Sequence, residues 1–327
     1  MSESPCVSIG LAVYNGEKYL KKALDSIITQ TFTDLELIIS DNFSTDNTQQ
    51  ICEQYASQDE RIRYYRNNKN IGAPRNFNRA FELASGKYFK WAASDDVLAP
   101  DFLRKCVAIL DKDASVVLCH SITGRIDENG DLLGFYNKGG LGRIDSKKSH
   151  ERFGDLIRLN FAVSPIFGVI RADSFRKTSL HGEYIGADRN LLAEIGLLGR
   201  IHLIPECLFF EREHSGAYST TFYGKNKSTT PYDRLRKESA WWTTENPTSF
   251  PHWKNYSEYF NSVRRIKLSP SERILCYDQI FRALKIEGWK YVWCDMKDFL
   301  LYNSEAARTL IPFATNIATN VHKAIKI

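Results

Sequence analysis

Acidic side chains follow two of the apolar, β-type runs in the first hundred residues of this 327-residue chain. Asp41 comes directly after the run Leu35–Ser40, and Asp95 and Asp96 come shortly after the run Tyr88–Ala93. In an open α/β sheet, ligands bind beyond the carboxyl ends of the strands. These side chains are therefore the first candidates for chemistry.

The adjacent carboxylates Asp95 and Asp96 would repel each other unless a cation or a bound ligand offset their charge. Oxygen ligands suit the hard ions Mg²⁺ and Mn²⁺, and such ions use only one or two carboxylates and leave other positions to substrate phosphates. The pair therefore predicts a divalent cation that holds a diphosphate. The alternative is that Asp96 caps the helix that Pro100 begins.

A nucleoside site is predicted beside this pair. Asp41 can accept a hydrogen bond from a base or a sugar hydroxyl, and Tyr14, which follows the run Val7–Val13, offers a surface on which a base can stack. Alternatively, Asp41 caps a turn and Tyr14 packs in the core. Arg75, at the start of a predicted helix, could reach a phosphate or complement nearby acids.

Several other types of site are excluded by missing motifs. The sequence has no G-x-G-x-x-G after its first apolar run, and no G-x-x-x-x-G-K-[ST], G-x-S-x-G or H-E-x-x-H. Dinucleotide oxidoreductases, P-loop enzymes, serine hydrolases and zincins are therefore disfavoured.

The charge is weak overall but uneven. The chain carries 44 basic and 39 acidic residues, a net charge of +5 that does not indicate a nucleic-acid binder. Residues 222–327 hold 17 basic and 10 acidic residues, and the part before them holds 27 and 29. The basic C-terminal segment is compatible with an anionic membrane surface, an acidic acceptor or simply a solvated helical face.

The seven cysteines include no C-x-x-C pair, so they are predicted to be free thiols in a reducing compartment. Residues 1–6 lack the charged and apolar regions of a signal peptide, and no stretch approaches the ~18 apolar residues of a spanning helix. We expect a cytoplasmic protein, at most peripheral at the inner face of a membrane.

Alternating β-type and helical runs predict βαβ units and a largely parallel sheet. The predicted strands are Val7–Val13, Leu35–Ser40, Arg61–Arg66, Tyr88–Ala93, Val116–His120, Ile166–Ile170 and Ile201–Phe210. The predicted helices are Glu17–Gln30, Asp46–Ser57 with Asp46 as its cap, Pro74–Ala84, Pro100–Leu110, Glu151–Leu159 and Asp188–Leu198. The turn at Asp127–Gly130 predicts an antiparallel pair, so the sheet should be mixed.

A Gly, Ser and Thr-rich stretch after Ser215 predicts a boundary. Beyond it the helical patterns are Tyr232–Trp242, Ser269–Leu284 and Gly288–Leu301. We therefore predict an α/β domain over 1–217 and a mainly helical C-terminal region over 218–327. That region could pack on the domain, form an acceptor platform or a membrane-surface foot, or make a dimer contact.

An ordered set of segments resembles glycosyltransferase family 2. The dense part covers roughly the first third of the chain, and a thinner likeness extends to His214. The segments are Val7–Asn15, Tyr19-Leu20, Ser26-Ile27, Gln30–Phe32, Leu35–Asp46, Asn70–Gly72, Arg75-Asn76, Ala84–Tyr88 and Ser94–Asp96. The resemblance implies a GT-A fold with a Rossmann-like mixed sheet, in which residues 1–120 form the nucleotide-sugar half and 121–217 the acceptor half.

The same resemblance implies an inverting transfer from a nucleoside-diphosphate sugar. By position, Val13 and Tyr14 would line the nucleoside pocket and Asp41 would bind the base. Arg75 would lie near the base or diphosphate, and Asp95 would contact the ribose.

Asp96 would bind the metal, Mn²⁺ or Mg²⁺. Ala93 stands where many relatives have another acid, which leaves the number of metal carboxylates open. The segment Glu211–His214 resembles the family's Arg-x-His segment. His214 would therefore ligate metal or contact phosphate, or be a packing residue.

Asp188, at the start of a later predicted helix, matches the position of the family's general base. Ala187 departs from the Glu-Asp pair that relatives often show there, and Asp188 could instead cap its helix. The Q-x-x-R-W signature of processive synthases is missing.

The expected activity is transfer of one sugar, with a UDP-sugar favoured as donor, to a glycan, a lipid-linked compound or another hydroxyl acceptor. Two alternatives remain: a binding module that holds a nucleotide sugar without turning it over, and a sugar nucleotidyltransferase. The latter class carries a G-x-G-x-R loop after its first strand, which this chain lacks. The oligomeric state is left open.

Overall fold

The computed structural model describes residues 4–136, 142–158, 163–217, 250–290 and 292–296. The predicted helix Tyr232–Trp242 and the end of the predicted helix Gly288–Leu301 lie outside these residues. Of the predicted region 218–327, only residues 250–290 and 292–296 are described. None of the described helices is long and apolar enough to cross a bilayer.

The centre of the molecule is a mixed nine-stranded sheet. Its strands are β1 (Val7–Val13), β2 (Leu35–Asp41), β3 (Ile62–Arg66), β4 (Tyr88–Ala93), β5 (Val97–Leu98), β6 (Val116–Ile126), β7 (Leu132–Tyr136), β8 (Val169–Arg171) and β9 (Arg200–Arg212). They are ordered β3-β2-β1-β4-β8-β6-β9-β5, with β7 paired to β6. The predicted mixed sheet is confirmed.

Helices cover the sheet and extend beyond it. They are α1 (Leu20–Ile28), α2 (Thr48–Gln58), α3 (Ala73–Glu82), α4 (Phe102–Lys112), α5 (Ser149–Arg158), α6 (Ala172–Phe175), α7 (Ala187–Leu198), α8 (Pro251–Arg265) and α9 (Pro270–Ala283). A 3₁₀ turn (Ser164–Phe167) precedes β8, and a π turn (Leu284–Gly288) follows α9. Every residue of β1 and β2 is buried, as expected for parallel strands that have helices on both faces.

The parallel strands β2, β1 and β4 end side by side. Val13 is the register partner of Asp41, and Ala12 is the partner of Ala93. Because parallel strands point the same way, the polar residues that follow β1, β2 and β4 emerge at one edge of the sheet. This edge is where the candidate site lies.

Most predicted elements are confirmed, with shifted ends. The predicted helix Asp46–Ser57 begins at Thr48, although the Asp46 carboxylate still accepts a hydrogen bond from the Thr48 amide. The prediction missed α6, α8 and the two-residue strand β5, and it ended β6 six residues early. The first part of the predicted strand Ile166–Ile170 is a 3₁₀ turn, and the strand itself begins at Val169. The predicted antiparallel pair around Asp127–Gly130 is confirmed as β6 and β7.

The described C-terminal helices pack on the second half of the α/β domain. Tyr259 and Val263 of α8 and Ile280 of α9 belong to the same hydrophobic cluster as Phe153 of α5 and Leu192 of α7. This part of the predicted C-terminal region therefore shares its core with the sheet's helices.

One ion pair fastens α8 to α7. Glu194 is fully buried, and it accepts hydrogen bonds from Arg265 and from the amide and hydroxyl groups of Ser179. Removing the arginine of this pair leaves the buried Glu194 charge uncompensated. The resulting loss of stability is far larger than the contribution of the pair itself.

We therefore expect Arg265→Ala to lower the free energy of unfolding by roughly 3 kcal/mol, since it strands the Glu194 carboxylate. Arg264→Ala is the matched control, because Arg264 is the adjacent exposed arginine of the same helix and forms no ion pair with a buried carboxylate in the described residues. Its loss should change stability by less than about 0.5 kcal/mol. Urea unfolding of both variants measures the two changes in the free energy of unfolding. Equal changes for the two arginines would contradict a stabilising role for the pair between Arg265 and Glu194.

Candidate functional site

The loop after β1 lies against the ends of β2 and β4. The Asn42 amide donates to the Val13 carbonyl oxygen, at 2.8 Å. A Cβ atom on Gly16 would lie 2.7 Å from a Val13 methyl carbon and 3.0 Å from the Ser94 hydroxyl oxygen, so only glycine allows this close approach. Val13 is buried, whereas the Tyr14 side chain is 49% exposed and available for stacking.

Asp41 is fully buried at the end of β2. Its carboxylate accepts hydrogen bonds from the Ser44 amide (2.9 Å) and the Tyr64 hydroxyl (2.8 Å), and it lies 3.4 Å from the Arg66 Nε atom. Burial and the bond to Asp41 raise the pKa of the Tyr64 phenol. The carboxylate is held firmly by the protein itself, so a base can reach it only if one of these neighbours moves.

A buried amide network supports this edge, and the sequence predictions did not assign it a role. Asn67 donates to Asn42 and Asn76, and Asn42 donates to Asn70. The Asn76 amide group in turn donates to the carbonyl oxygen of Ser40 in β2. The network connects the ends of β2 and β3 to the start of α3. Its members are far apart in the sequence, so the sequence alone did not indicate that they form hydrogen bonds with one another.

Arg75 projects from the first turn of α3 and pairs with Glu183, with a 2.6 Å distance between Nε and Oε1. On the same helix, the Asn78 side chain exchanges two hydrogen bonds with the backbone of His181. These contacts join α3 to the segment that leads into α7. No hydrogen bond or ion pair joins Arg75 to Asp41 or Asp95 within the described residues.

Three acids crowd together where β4 and β9 end. Asp96 is 9% exposed and accepts a hydrogen bond from the Arg212 amide, at 3.0 Å. Burial and the nearby charges of Asp95 and Glu211 raise the pKa of Asp96 well above its usual range. Burial, Asp95 and Glu213 raise the pKa of Glu211 to about 7. Glu211 was not predicted as a site residue.

His214 approaches Asp95 and not the predicted metal ligand Asp96. Its Nε2 atom lies 2.9 Å from an Asp95 carboxylate oxygen, and its ring lies 4.7 Å from the ring of Tyr19. The Arg212 guanidinium also borders this group of residues. It lies 5.0 Å from the Tyr19 ring centre and donates to the Asp95 carbonyl oxygen. Residues from β9, the start of α1 and the end of β4 thus meet at Asp95.

A divalent cation fits this acidic cluster on electrostatic grounds. Within the described ranges, no group of three or more His, Cys, Asp and Glu side chains forms a complete cage for a metal. Burial is the main cause of the raised pKa values of Asp96 and Glu211, and the charges of neighbouring acids raise them further. A cation would offset this repulsion between the acids. One or two carboxylates suffice for Mg²⁺-type ions when phosphates supply further ligands. Asp96 and Asp95 are the residues placed to do so.

Asp188 is the second residue of α7. Gly186, with φ of 83°, occupies the N-cap position, so Asp188 is not the cap of this helix. The Asp188 carboxylate accepts a hydrogen bond from the Arg189 amide, at 2.7 Å. Its charge also acts on His181: burial lowers the pKa of His181, and Asp188 opposes this change. In the described part of the chain, no hydrogen bond or ion pair joins Asp188 to Asp95 or Asp96.

Sequence comparisons point in one direction. Residues 8–175 match the profile of Glycosyl transferase family 2. An uncharacterized glycosyltransferase of Haemophilus influenzae is 29% identical over 236 residues, which are 70% of this chain and 72% of the relative. Another from Rickettsia typhi is 32% identical over 67% of each chain. Escherichia coli chondroitin synthase is 36% identical over 39% of this chain, but only 19% of its own length is matched.

Two solved structures share the fold. Staphylococcus aureus TarS 1–349 in complex with UDP superposes with a TM-score of 0.60 at 17% identity, covering 93% of this chain and 83% of that one. The mannosyltransferase PcManGT from Pyrobaculum calidifontis, in complex with GDP-Man and Mn²⁺, gives 0.53 at 16% identity, covering 99% and 83%. These likenesses confirm the predicted GT-A architecture.

The acidic cluster should make the free energy of unfolding depend on pH. Because the pKa of Glu211 is raised in the folded protein, the folded state binds more protons than the unfolded state between about pH 4.5 and 7. Stability therefore falls as the pH rises through that window. We expect Glu211→Gln to raise the free energy of unfolding at pH 8 by roughly 1–3 kcal/mol and to change it little at pH 4.

Denaturant unfolding at the two pH values measures this effect, and Glu206→Gln serves as the exposed control on the same strand. An equal change at both pH values would contradict the proposed crowding of charge.

Proposed function

This chain belongs to glycosyltransferase family 2, and on that premise we propose that it transfers a single sugar from a nucleoside-diphosphate sugar to a hydroxyl acceptor. The observation that carries the proposal is the common edge at which β1, β2 and β4 end, with Asp41 at one strand end and Asp95-Asp96 beyond another. The acceptor class we favour is a glycan or a lipid-linked compound.

The proposed donor site extends along that edge. Tyr14 stacks on the base and Val13 lines the pocket. Asp41 accepts a hydrogen bond from the base once one of its present partners, such as the Tyr64 hydroxyl, has moved away. Asp95 contacts the ribose, and Arg75 lies towards the base or diphosphate. Solved relatives of the same fold support a nucleotide-sugar donor, since TarS was solved with UDP and with UDP-GlcNAc. We favour a UDP-sugar.

We propose that Asp96, with Asp95 beside it, holds Mn²⁺ or Mg²⁺ together with the donor's diphosphate. When bound, such a cation offsets the negative charge that develops on the leaving diphosphate. PcManGT, which has a similar fold, was solved in complex with GDP-Man and Mn²⁺, and this supports our choice of ion. His214 is predicted as a metal ligand or phosphate contact. Its Nδ1 atom accepts from the Gly216 amide and its Nε2 atom donates to the Asp95 carboxylate, so we propose that it orients that carboxylate.

In the proposed reaction, Asp188 takes the proton of the acceptor hydroxyl while the hydroxyl oxygen attacks the anomeric carbon. The bond from that carbon to the diphosphate oxygen breaks in the same step, and the nucleoside diphosphate leaves. One displacement inverts the anomeric centre, and no covalent sugar intermediate forms. The helix N-terminus that carries Asp188 belongs to residues 121–217, the proposed acceptor half.

A non-catalytic nucleotide-sugar-binding module is the second candidate. The closed hydrogen bonding of Asp41 and the alanines Ala93 and Ala187, at positions where relatives often carry acids, are the features that favour it. Release of nucleoside diphosphate in the presence of acceptor separates the two candidates, because only the enzyme turns its donor over. The cytoplasmic location, with the basic C-terminal region at the inner face of a membrane, stays a prediction.

Asp96→Asn tests the metal assignment. The variant keeps the oxygen that accepts from the Arg212 amide and removes the charge, so we expect a folded protein in which metal-dependent transfer falls by about 100-fold or more. Asp173→Asn, whose side chain is 91% exposed, is the control and should retain full activity. Undiminished transfer by Asp96→Asn with saturating Mn²⁺ would reject the assignment.

Asp188→Asn tests the general base. Donor affinity, measured by calorimetry, should stay within about twofold, whereas transfer should fall by roughly 10²–10⁴-fold because the acceptor proton has no base. Normal turnover by this variant would remove Asp188 from the mechanism and leave the donor site intact.

A further inference from the structure

Lys90 lies in the middle of β4 and is 0% exposed. It is the one lysine among the buried residues of the described chain. A buried ammonium group is costly unless its charge is compensated, so its surroundings should explain why the strand carries a lysine here.

The surroundings of Lys90 suit a cation. Its Nζ atom donates to the carbonyl oxygens of Trp91 and Phe167, each at 2.8 Å. It also lies 5.2 Å from the ring centre of Phe102 and 5.1 Å from that of Phe209. Carbonyl oxygens and aromatic faces both attract positive charge. Burial nevertheless lowers the pKa of Lys90 to about 7, and the negative charge of Asp96 opposes this decrease.

The strand pairing explains why Asp96 acts on Lys90. Phe209 of β9 is the register partner of Leu98 in β5, and β5 begins directly after Asp96. The ammonium group, which contacts the Phe209 ring, therefore lies beside the β5–β9 pair that begins directly after Asp96. The two groups form no ion pair within 4.0 Å in the described chain, yet a charge acts well beyond contact distance in the poorly screened interior.

The position of the lysine matters for the cation site. In the proposed site, Asp96 attracts a divalent ion at the edge of the sheet. The positive charge of Lys90 interacts with Asp96 from the interior of the protein. A positive charge near a metal ligand lowers the affinity of that ligand for a cation. It also reduces the repulsion among Asp95, Asp96 and Glu211 when no ligand is bound.

We propose that Lys90 is the internal counter-charge of the donor site, a positioning residue that keeps the affinity of the acidic cluster for free Mn²⁺ or Mg²⁺ low. The divalent ion then binds together with the donor's diphosphate, whose negative charge restores the attraction. This inference rests on the proposed function, because it assumes that Asp96 holds a cation and a nucleotide sugar.

The test removes the charge and measures metal binding without nucleotide. We expect Lys90→Met to bind Mn²⁺ at least about threefold more tightly than the unaltered protein, as followed by the electron paramagnetic resonance signal of free Mn²⁺. Lys87→Met is the matched control, because Lys87 lies three residues earlier, is exposed, and pairs with Asp111 at the surface. It should leave Mn²⁺ affinity unchanged.

Three further measurements keep the test decisive. Lys90→Gln retains a hydrogen-bond donor without the charge, and it should bind Mn²⁺ more tightly than the unaltered protein even if Lys90→Met fails to fold. In the unaltered protein, the ¹⁵N resonance of the Lys90 ammonium should shift when UDP and Mg²⁺ are added together. In an Asp96→Asn background, loss of the Lys90 charge should no longer change Mn²⁺ affinity.

Unchanged or weaker Mn²⁺ binding by a folded Lys90 variant would overturn the inference, as would an unmoved resonance in the unaltered protein. Failure of the proposed function has a different signature: the unaltered protein would neither bind UDP with Mn²⁺ nor release nucleoside diphosphate. An active enzyme with unaffected Lys90 variants would therefore reject this inference alone.

Discussion

The candidate site depends on the parallel register of β2, β1 and β4. Val13 and Asp41 are paired, and Ala12 is paired with Ala93, so the loops that follow the three strands must leave the sheet at the same edge. Backbone hydrogen bonds and the packing of both buried faces of β1 and β2 fix that register, because a shift by one residue would exchange the side chains of the two faces and disrupt the packing of each. The candidate chemistry thus follows from sheet geometry.

Charge compensation is the second organising feature of the site. Asp95, Asp96 and Glu211 repel one another at the end of β4 and β9, and burial strengthens that repulsion. Protein groups offset part of it: the Arg212 amide donates to Asp96, and His214 contacts Asp95. Lys90 contributes positive charge from the interior. The uncompensated remainder is what would attract a divalent cation and a diphosphate.

The sequence predicted the elements that have strong apolar periodicity. The bounds of β1 and β4 are as predicted, because both strands are mainly apolar runs that polar residues follow. Helix α8 was missed although Trp253, Tyr256, Tyr259 and Val263 recur at helical spacing, so the sequence did contain a signal for this helix. Strand β5 was missed because two residues carry no period, and its existence depends on pairing with distant β9.

The candidate site was predictable only in part. Asp95 and Asp96 could be identified because their types and position after a strand suggest a cation site. The internal partners of Asp41 could not be predicted, since Tyr64 and Arg66 reach it from another strand. Lys90 gave no signal, because one lysine in an apolar strand normally points to solvent. Glu211 became significant only when β9 was placed beside the acidic pair.

The central claim is that one cleft holds a nucleotide sugar between Asp41 and the Asp95-Asp96 pair. A crystal structure with a non-hydrolysable UDP-sugar and Mn²⁺ tests it most directly. The account predicts the base stacked on Tyr14 near Asp41, Mn²⁺ between Asp96 and the diphosphate, and the anomeric carbon open towards Asp188. A nucleotide bound away from this edge of the sheet, or a cation bound without Asp96, would contradict it.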